Sequence, residues 1–442
     1  MRMNPQAHYF CIHLGHFSGR GYKIQKINIE DRKDKEKMNY IDGGVCAPAG
    51  FQAAGVHCGI RSKNTEKKDL ALIVSDRLCS AAAVYTTNKV KGAPIAVTKA
   101  HLENGKAQAV ICNSGNANTC APNGREIAEK TCQLTAEYTG IPAEDIIVCS
   151  TGVIGEPLSM EPFERGMGPL VQALSADGGT MAAEAIMTTD TVSKECAVEF
   201  ELGGKTCHIG ATAKGSGMIN PNMATMLSFI ATDAAVSPEM LQKALSEDIK
   251  DTYNQLSVDG DTSTNDTVAI MANGAAGNKE ITEEGPEFET FCRALRMVTE
   301  VLTKKLARDG EGATKLIECQ VKGAPDADAA RILSKSVISS DLFKSAMFGE
   351  DANWGRVLCS LGYARADFDA SDIQVEMGSG KGVIKVCEHS ALYPHSEEEA
   401  AEILAEEEIT IYVDLHQGKG EAKAWGCDLT YDYVKINGDY RS

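Results

Sequence analysis

The residues most able to do chemistry lie between Lys214 and Ala231: Lys214-Gly215-Ser216-Gly217-Met218-Ile219-Asn220-Pro221-Asn222-Met223-Ala224-Thr225-Met226-Leu227-Ser228-Phe229-Ile230-Ala231. Residues 215–222 hold glycines, asparagines, a proline and a serine, the composition of an exposed or flexible loop. From Thr225 the pattern turns to a strand, with Thr225, Leu227 and Phe229 on one face and Met226, Ser228 and Ile230 on the other. A loop running into a buried strand can expose a backbone bond. A threonine opening that strand could aim its hydroxyl at its own preceding carbonyl. Threonine is also an ordinary strand residue, and Gly/Asn/Pro loops precede many strands. Pattern alone therefore supports a soluble α/β protein and stops there.

The elements that must position this stretch are legible in part. Leu70-Ala71-Leu72-Ile73-Val74, Ala109-Val110-Ile111-Cys112 and Ile146-Ile147-Val148-Cys149 read as buried strands. The second leads into Asn113-Ser114-Gly115-Asn116-Ala117-Asn118, read as a loop tolerant of left-handed geometry. The third ends in Ser150-Thr151-Gly152-Val153-Ile154-Gly155. Residues 125–138 read as a helix. Ser237 with Pro238 predicts an N-cap and first turn, with Leu241, Leu245 and Ile249 behind it. Phe291, Leu295, Val298, Leu302 and Leu306 mark another helix, stopping at Asp309-Gly310. Ser396 and Glu399 form a capping box. Ile409, Ile411, Val413 and Leu415 alternate as a strand, and Ala424 to Ile436 reads as its partner.

Bulk properties exclude some functions. The chain of 442 residues has room for two or three domains. With 62 Asp and Glu against 44 Lys and Arg, its net charge of −18 repels phosphate backbones and anionic membranes. Its 15 cysteines form no C-x-x-C pair, and Cys112, Cys149, Cys319 and Cys359 sit singly in apolar stretches, as free thiols in a reducing cytosol do. No run approaches the ~20 apolar residues that span a bilayer. The patch Tyr9 to Phe17 is broken by His13, Gly15 and His16 and makes a poor signal peptide. Residues 1–40 read as a disordered extension or as the product of an upstream mis-start, with Met38 as the alternative start, and the expected location is cytoplasmic. Gly378-Ser379-Gly380-Lys381-Gly382 is no P-loop, because Val375 and Gly382 stand where a glycine and a Ser/Thr are required. Ser216 does not fit a nucleophile elbow.

The stretch from Lys214 to Leu227 closely resembles the self-cleavage signature of the glutamate N-acetyltransferase (ornithine acetyltransferase) family. Further family-like segments follow in order from about residue 40 to the end. They are Thr86-Thr87-Asn88, Asn113 to Asn118, Cys149 to Gly152, Met187 to Thr191, Val258 to Asp266, Asp309 to Gly312, Asn353 to Arg356, and Lys435 to Ser442. The resemblance implies an α/β core like that of the self-processing D-aminopeptidase-like enzymes, with a smaller C-terminal α+β domain. It implies cleavage between Ala224 and Thr225, so that residues 41–224 belong to one chain, residues 225–300 complete the core, and residues 301–442 carry the C-terminal domain with its substrate-binding tail. Two copies of each chain would assemble as α2β2.

The roles it implies are specific. Thr225 would be the nucleophile of cleavage and then of acetyl transfer, and its new α-amine, with an ordinary pKa near 7.7–8.0, a base at working pH. Thr151 and Gly152 would form the oxyanion hole, Thr151 by side chain or by backbone. Thr188, Lys214, Glu311, Asn437 and Ser442 would bind the amino-acid part of the substrate, Lys214 facing a carboxylate and Glu311 an ammonium. Many members end in threonine where Ser442 stands, and many have alanine where Gly438 stands. The implied reaction moves acetyl from N2-acetylornithine to glutamate, needs no metal or resident cofactor, and leaves acetyl-CoA open as a second donor. The partners are these small molecules, not nucleic acid or membrane. The rival readings are an amidase or aminopeptidase of the same wider fold and a catalytically silent relative.

Overall fold

The computed structural model describes residues 38–61, 66–220 and 226–439. It is a mixed α/β protein built on two sheets. The first has nine strands, eight of them in the spatial order Asn39–Ile41, Lys194–Leu202, Lys205–Lys214, Leu227–Thr232, Thr267–Ala272, Leu70–Tyr85, Lys106–Asn116 and Ile146–Val153. Leu227–Thr232 runs parallel to Thr267–Ala272, and Lys106–Asn116 parallel to Ile146–Val153; the other pairs are antiparallel. The long strand Leu70–Tyr85 takes two partners along one edge, Phe51–Val56 against Leu70–Ser75 and Thr267–Ala272 against Ser80–Tyr85.

Period-two alternation fixes how the strand after residue 225 sits. Leu227, Phe229 and Ala231 enter one core with Ile73, Val110 and Ala182. Met226 and Ile230 enter another, with Leu241 and Leu245 of the helix Pro238–Asp248 and Phe291 and Leu302 of the helix Pro286–Arg308. The sheet is therefore buried on both faces. Helices Ala93–His101, Gly124–Thr139 and Glu161–Gln172 contribute Val97, Ile127 and Phe163 to a third core over Leu70, Ile111 and Val148.

The second sheet has seven strands, in the order Ala391–Leu392, Gly382–Glu388, Gln374–Ser379, Glu408–Asp414, Leu316–Ala324, Gly420–Cys427 and Leu256–Ser257. Helices Ala327–Ile338, Asp341–Phe348, Trp354–Gly362 and Glu397–Leu404 close its core. The helix Pro286–Arg308 runs unbroken through residue 300, where the sequence reading divides the chain. No helix among the described residues is long and apolar enough to cross a membrane.

The local signals at helix ends are realised. Ser237 Oγ accepts from the N–H of Met240, and Ser396 Oγ from that of Glu399. Two expectations need correction. The strand Lys106–Asn116 continues through Asn113, Ser114 and Gly115, which pair with Ser150, Thr151 and Gly152. Their side chains are satisfied inside the fold: Ser150 donates to Asn113 Oδ1 at 2.6 Å, and Ser114 to the carbonyl of Ala185 at 2.6 Å. Polar composition therefore misled about the strand, while the expected left-handed geometry is present at Gly115 (φ 98°) and Asn118 (φ 51°). The expected strand Ala424 to Ile436 ends at Cys427, and Tyr431–Asp439 is a helix. Asp428 stops the ladder: its carboxylate takes the N–H groups of Thr314 (2.8 Å) and Lys315 (2.9 Å), just before the strand starting at Leu316.

Candidate active site

Lys214 is the last residue of the strand Lys205–Lys214 and the register partner of Leu227. The ladder thus sets it beside the strand that opens just after residue 225. Only 7% of Lys214 is exposed, and its Nζ donates to Thr188 Oγ1 at 2.8 Å and to Thr151 Oγ1 at 3.3 Å. An ammonium has three donors, and among the described residues its hydrogen-bonding partners are these two neutral hydroxyls. Burial pushes its pKa down, with the carboxylates of Asp190 and Asp266 pulling the other way and Lys194 adding to the depression.

Thr151 comes from the end of the edge strand Ile146–Val153. Gly152 beside it has φ 131°, and a Cβ there would sit 2.4 Å from the carbonyl carbon of Gly115. Only glycine fits, on both counts. Thr188 lies after the short helix Gly179–Ala185, and its N–H donates to Asp190 Oδ2 at 2.9 Å.

Glu311 and Asn437 meet each other. Asn437 Nδ2, on the C-terminal helix, donates to Glu311 Oε2 at 2.7 Å. The Glu311 N–H donates to the carbonyl of Ser216 at 2.9 Å, and its side chain lies so close to Gly217 that a Cβ there would fall 2.3 Å from the Glu311 carboxyl carbon. The segment 214–217 thus joins the Lys214–Thr188–Thr151 contacts to the Glu311–Asn437 pair. Beyond it, Asp259 accepts from the N–H groups of Met218 (2.5 Å) and Ile219 (2.8 Å), and Met218 itself is exposed with φ 54°. Ala224, Thr225 and Ser442 lie outside the described residues; Met226, the first described residue after Thr225, accepts through its carbonyl from the Thr267 N–H at 3.1 Å.

Several charged residues here escaped sequence reasoning. Asp190, Lys194 and Asp309 form a buried ion triad: Lys194 Nζ lies 2.7 Å from Asp190 Oδ1 and 2.6 Å from Asp309 Oδ2. Burial alone would raise the Asp190 pKa, but the Lys194 and Lys214 cations hold it well below the usual carboxylate range. Asp266 is the opposite case. It is 2% exposed, its Oδ2 has no hydrogen-bond partner among the described residues, and burial pushes its pKa well up despite Ser263, Lys214 and Thr86. The four-residue spacing of Asp190 and Lys194 was the one available signal, and it says nothing about Asp309. The described cysteines are free thiols and most are buried, but Cys120 and Cys359 are exposed, against the expectation that Cys359 packs in an apolar stretch. Burial pushes the thiol of Cys149, two residues before Thr151, up to about 12.

Fold and contacts define a two-sheet α/β protein with a buried lysine clasped by two threonines next to a carboxylate–amide pair. The ArgJ family model matches residues 52–442. The arginine biosynthesis bifunctional protein ArgJ of Caldanaerobacter subterraneus subsp. tengcongensis is 50% identical over 406 residues, 92% of this chain and 100% of that protein. The protein of the same name from Bacillus subtilis is 47% identical over 410 residues, 92% of this chain and 99% of that one. This chain belongs to the ArgJ family. Among solved structures it is similar to ArgJ from Bacillus halodurans, at 47% identity and TM-score 0.47, covering 49% of this chain and 100% of that one. It is also similar to an ornithine acetyltransferase from Mycobacterium tuberculosis complexed with ornithine, at 36% identity and TM-score 0.39, covering 42% and 100%.

Proposed function

We propose that the protein is an arginine-biosynthetic N-acetyltransferase that cleaves itself before Thr225 and then moves acetyl from N2-acetylornithine to glutamate. In the first event Thr225 Oγ attacks the carbonyl carbon of Ala224 and the C–N bond breaks. The hydroxyl proton passes to the departing nitrogen, leaving an ester. Water hydrolyses that ester, which frees the Ala224 carboxyl and leaves Thr225 with its hydroxyl and a new α-amine. In the second event the α-amine takes the hydroxyl proton while Oγ attacks the acetyl carbonyl of acetylornithine. Thr151 and Gly152 hold the oxyanion. The amide C–N bond breaks, its nitrogen takes the proton, and ornithine leaves. Glutamate's amine then attacks the acetyl ester, giving N-acetylglutamate and restoring Thr225.

The observation that carries this reading is the environment of Lys214. A buried ammonium whose two hydrogen-bond partners are neutral hydroxyls has a third donor to spare, and a ligand carboxylate would give it a directly bonded anion beyond the more distant pull of Asp190. Its contact with Thr151 supports a carboxylate bound next to the proposed oxyanion hole. Glu311 and Asn437 supply an anion and an amide for the far ammonium of ornithine, with Thr188 and Ser442 adding hydroxyls. The working form is α2β2 in the cytoplasm, with acetyl-CoA as a second donor if the enzyme also makes N-acetylglutamate directly.

The test is a denaturing gel with N-terminal sequencing, followed by incubation with acetylornithine with and without glutamate. Two chains, the second starting at Thr225, and ornithine release that depends on glutamate are expected. An intact single chain, or acetate released to water at the same rate without glutamate, defeats the reading. Thr225→Ala must abolish both events.

A further inference from the structure

The residues assigned above to the substrate's amino-acid part come from separate stretches of chain, and three of those stretches are anchored to one buried set of charges. Asp190 Oδ2 accepts from the Thr188 N–H at 2.9 Å, while Asp190 Oδ1 accepts from the Gly215 N–H, next to Lys214, at 2.7 Å. Lys194 Nζ joins Asp190 to Asp309 and also donates to the Val192 carbonyl at 3.3 Å. Asp309 holds Thr191 through its N–H at 3.1 Å and through its hydroxyl. The Asp309 carbonyl accepts from Ser216 Oγ at 2.6 Å, and the Ser216 carbonyl in turn receives the Glu311 N–H.

Burying three charges is costly, so a buried ion set is by itself weak evidence for a role in stability. What the ions add is direction. Each carboxylate grips main chain at fixed points, and Lys194 ties the two carboxylates together. One path of these bonds runs from Gly215, next to Lys214 at one proposed end of the substrate, through Asp190, Lys194 and Asp309 to Ser216, whose carbonyl receives the N–H of Glu311 at the other.

We propose that the Asp190–Lys194–Asp309 triad is a length gauge, a set of positioning residues that fixes the span between Lys214 and Glu311 and so selects the side-chain length of the N2-acetyl diamino acid donor. The inference rests on the function proposed above. Thr188, Lys214 and Glu311 touch the substrate; the triad acts through them. With the triad intact, a donor one methylene longer than acetylornithine cannot satisfy both ends. With the triad loosened, the two ends drift and the longer donor gains relative to the shorter.

The experiment compares kcat/KM for N2-acetylornithine and N2-acetyllysine in wild type and in two variants. Lys194→Met alone would strand two buried carboxylates, so it is combined with Asp309→Asn, which removes one charge of each sign and keeps an acceptor for Thr191. The second variant, Thr191→Val, deletes only the hydroxyl donor to Asp309 and keeps the fold testable if the first proves insoluble. One methylene is worth roughly 10–200-fold in such a ratio. The ornithine-over-lysine preference is expected to fall at least about fivefold in the double variant and less, but measurably, in Thr191→Val. A merely structural role would lower melting temperature and active fraction but leave the ratio unmoved. An unchanged ratio in soluble variants beside a discriminating wild type overturns the gauge alone. A wild type that transfers acetyl from neither donor overturns the parent reading and the gauge with it.

Discussion

Replacing Lys214 with methionine gives the sharpest test of the site. Methionine keeps much of the volume but loses the cation and its bonds of 2.8 Å to Thr188 and 3.3 Å to Thr151. Two consequences separate. Toward substrate, if Lys214 holds the carboxylate as proposed, the variant loses one hydrogen bond between ions, worth about 1.5–3 kcal/mol. At 1.4 kcal/mol per factor of ten, KM for acetylornithine should rise roughly 10–150-fold. Toward folding, little should be lost, because the wild-type cation is already disfavoured by burial. The pH dependence carries the same signature. With its pKa below the ordinary 10.5, folded Lys214 gives up its proton before the unfolded chain does, so the unfolded state binds more protons in that interval. Stability from this residue should therefore rise with pH between its lowered pKa and 10.5, and Lys214→Met should flatten that rise. Steady-state kinetics and melts across alkaline pH measure both. A variant with wild-type KM would refute the assignment of Lys214 to a carboxylate.

Three further outcomes follow from the geometry. Gly152→Ala forces a Cβ to 2.4 Å from Gly115 at φ 131°, so thermal melts should show a loss of at least about 2 kcal/mol, together with lost transfer. Asp266→Asn should stabilise the protein at pH 7–8 and do so less near pH 4. A carboxyl whose folded pKa is raised loses stability as pH climbs above its unfolded value, and an amide escapes that loss; melts that show the opposite trend would rule this out. Deleting residues 437–442 removes the Asn437 bond to Glu311 and should raise KM for acetylornithine at least roughly tenfold while self-cleavage survives, as kinetics and a gel would show.

The fold was most legible where the signal is local. Ser237 and Ser396 name their own helices because a cap needs only a hydroxyl and the N–H three residues on. The strand Leu227–Thr232 followed from alternation, since each of its faces meets a different core. Legibility failed where distant residues decide. Asn113 and Ser114 look like loop until Ser150 and Ala185 supply their partners, and Tyr431 to Ile436 looks like strand until Asp428 takes the N–H groups that the ladder would have used. In the site, the residues named from the resemblance occupy one connected set of contacts, apart from those outside the described residues. The ion triad was invisible because Asp309 lies 115 positions from Lys194, and no pattern along the chain joins them.

The strand order of the first sheet bears on what a cut before Thr225 would leave behind. Leu227–Thr232 and Thr267–Ala272 would belong to the newer fragment, yet they are flanked by Lys205–Lys214 on one side and Leu70–Tyr85 on the other, both from the older. The two fragments would be interleaved like the fingers of clasped hands, each supplying edges the other needs. Neither could be made alone without baring a ladder of unpaired amides, an invitation to aggregate. Refolding would also change its molecularity: a search that the uncut chain carries out within itself becomes a meeting of two molecules, dependent on concentration. Dilution after denaturation should therefore cost the cut enzyme far more recovered activity than an uncut Thr225→Ala chain loses in recovered fold.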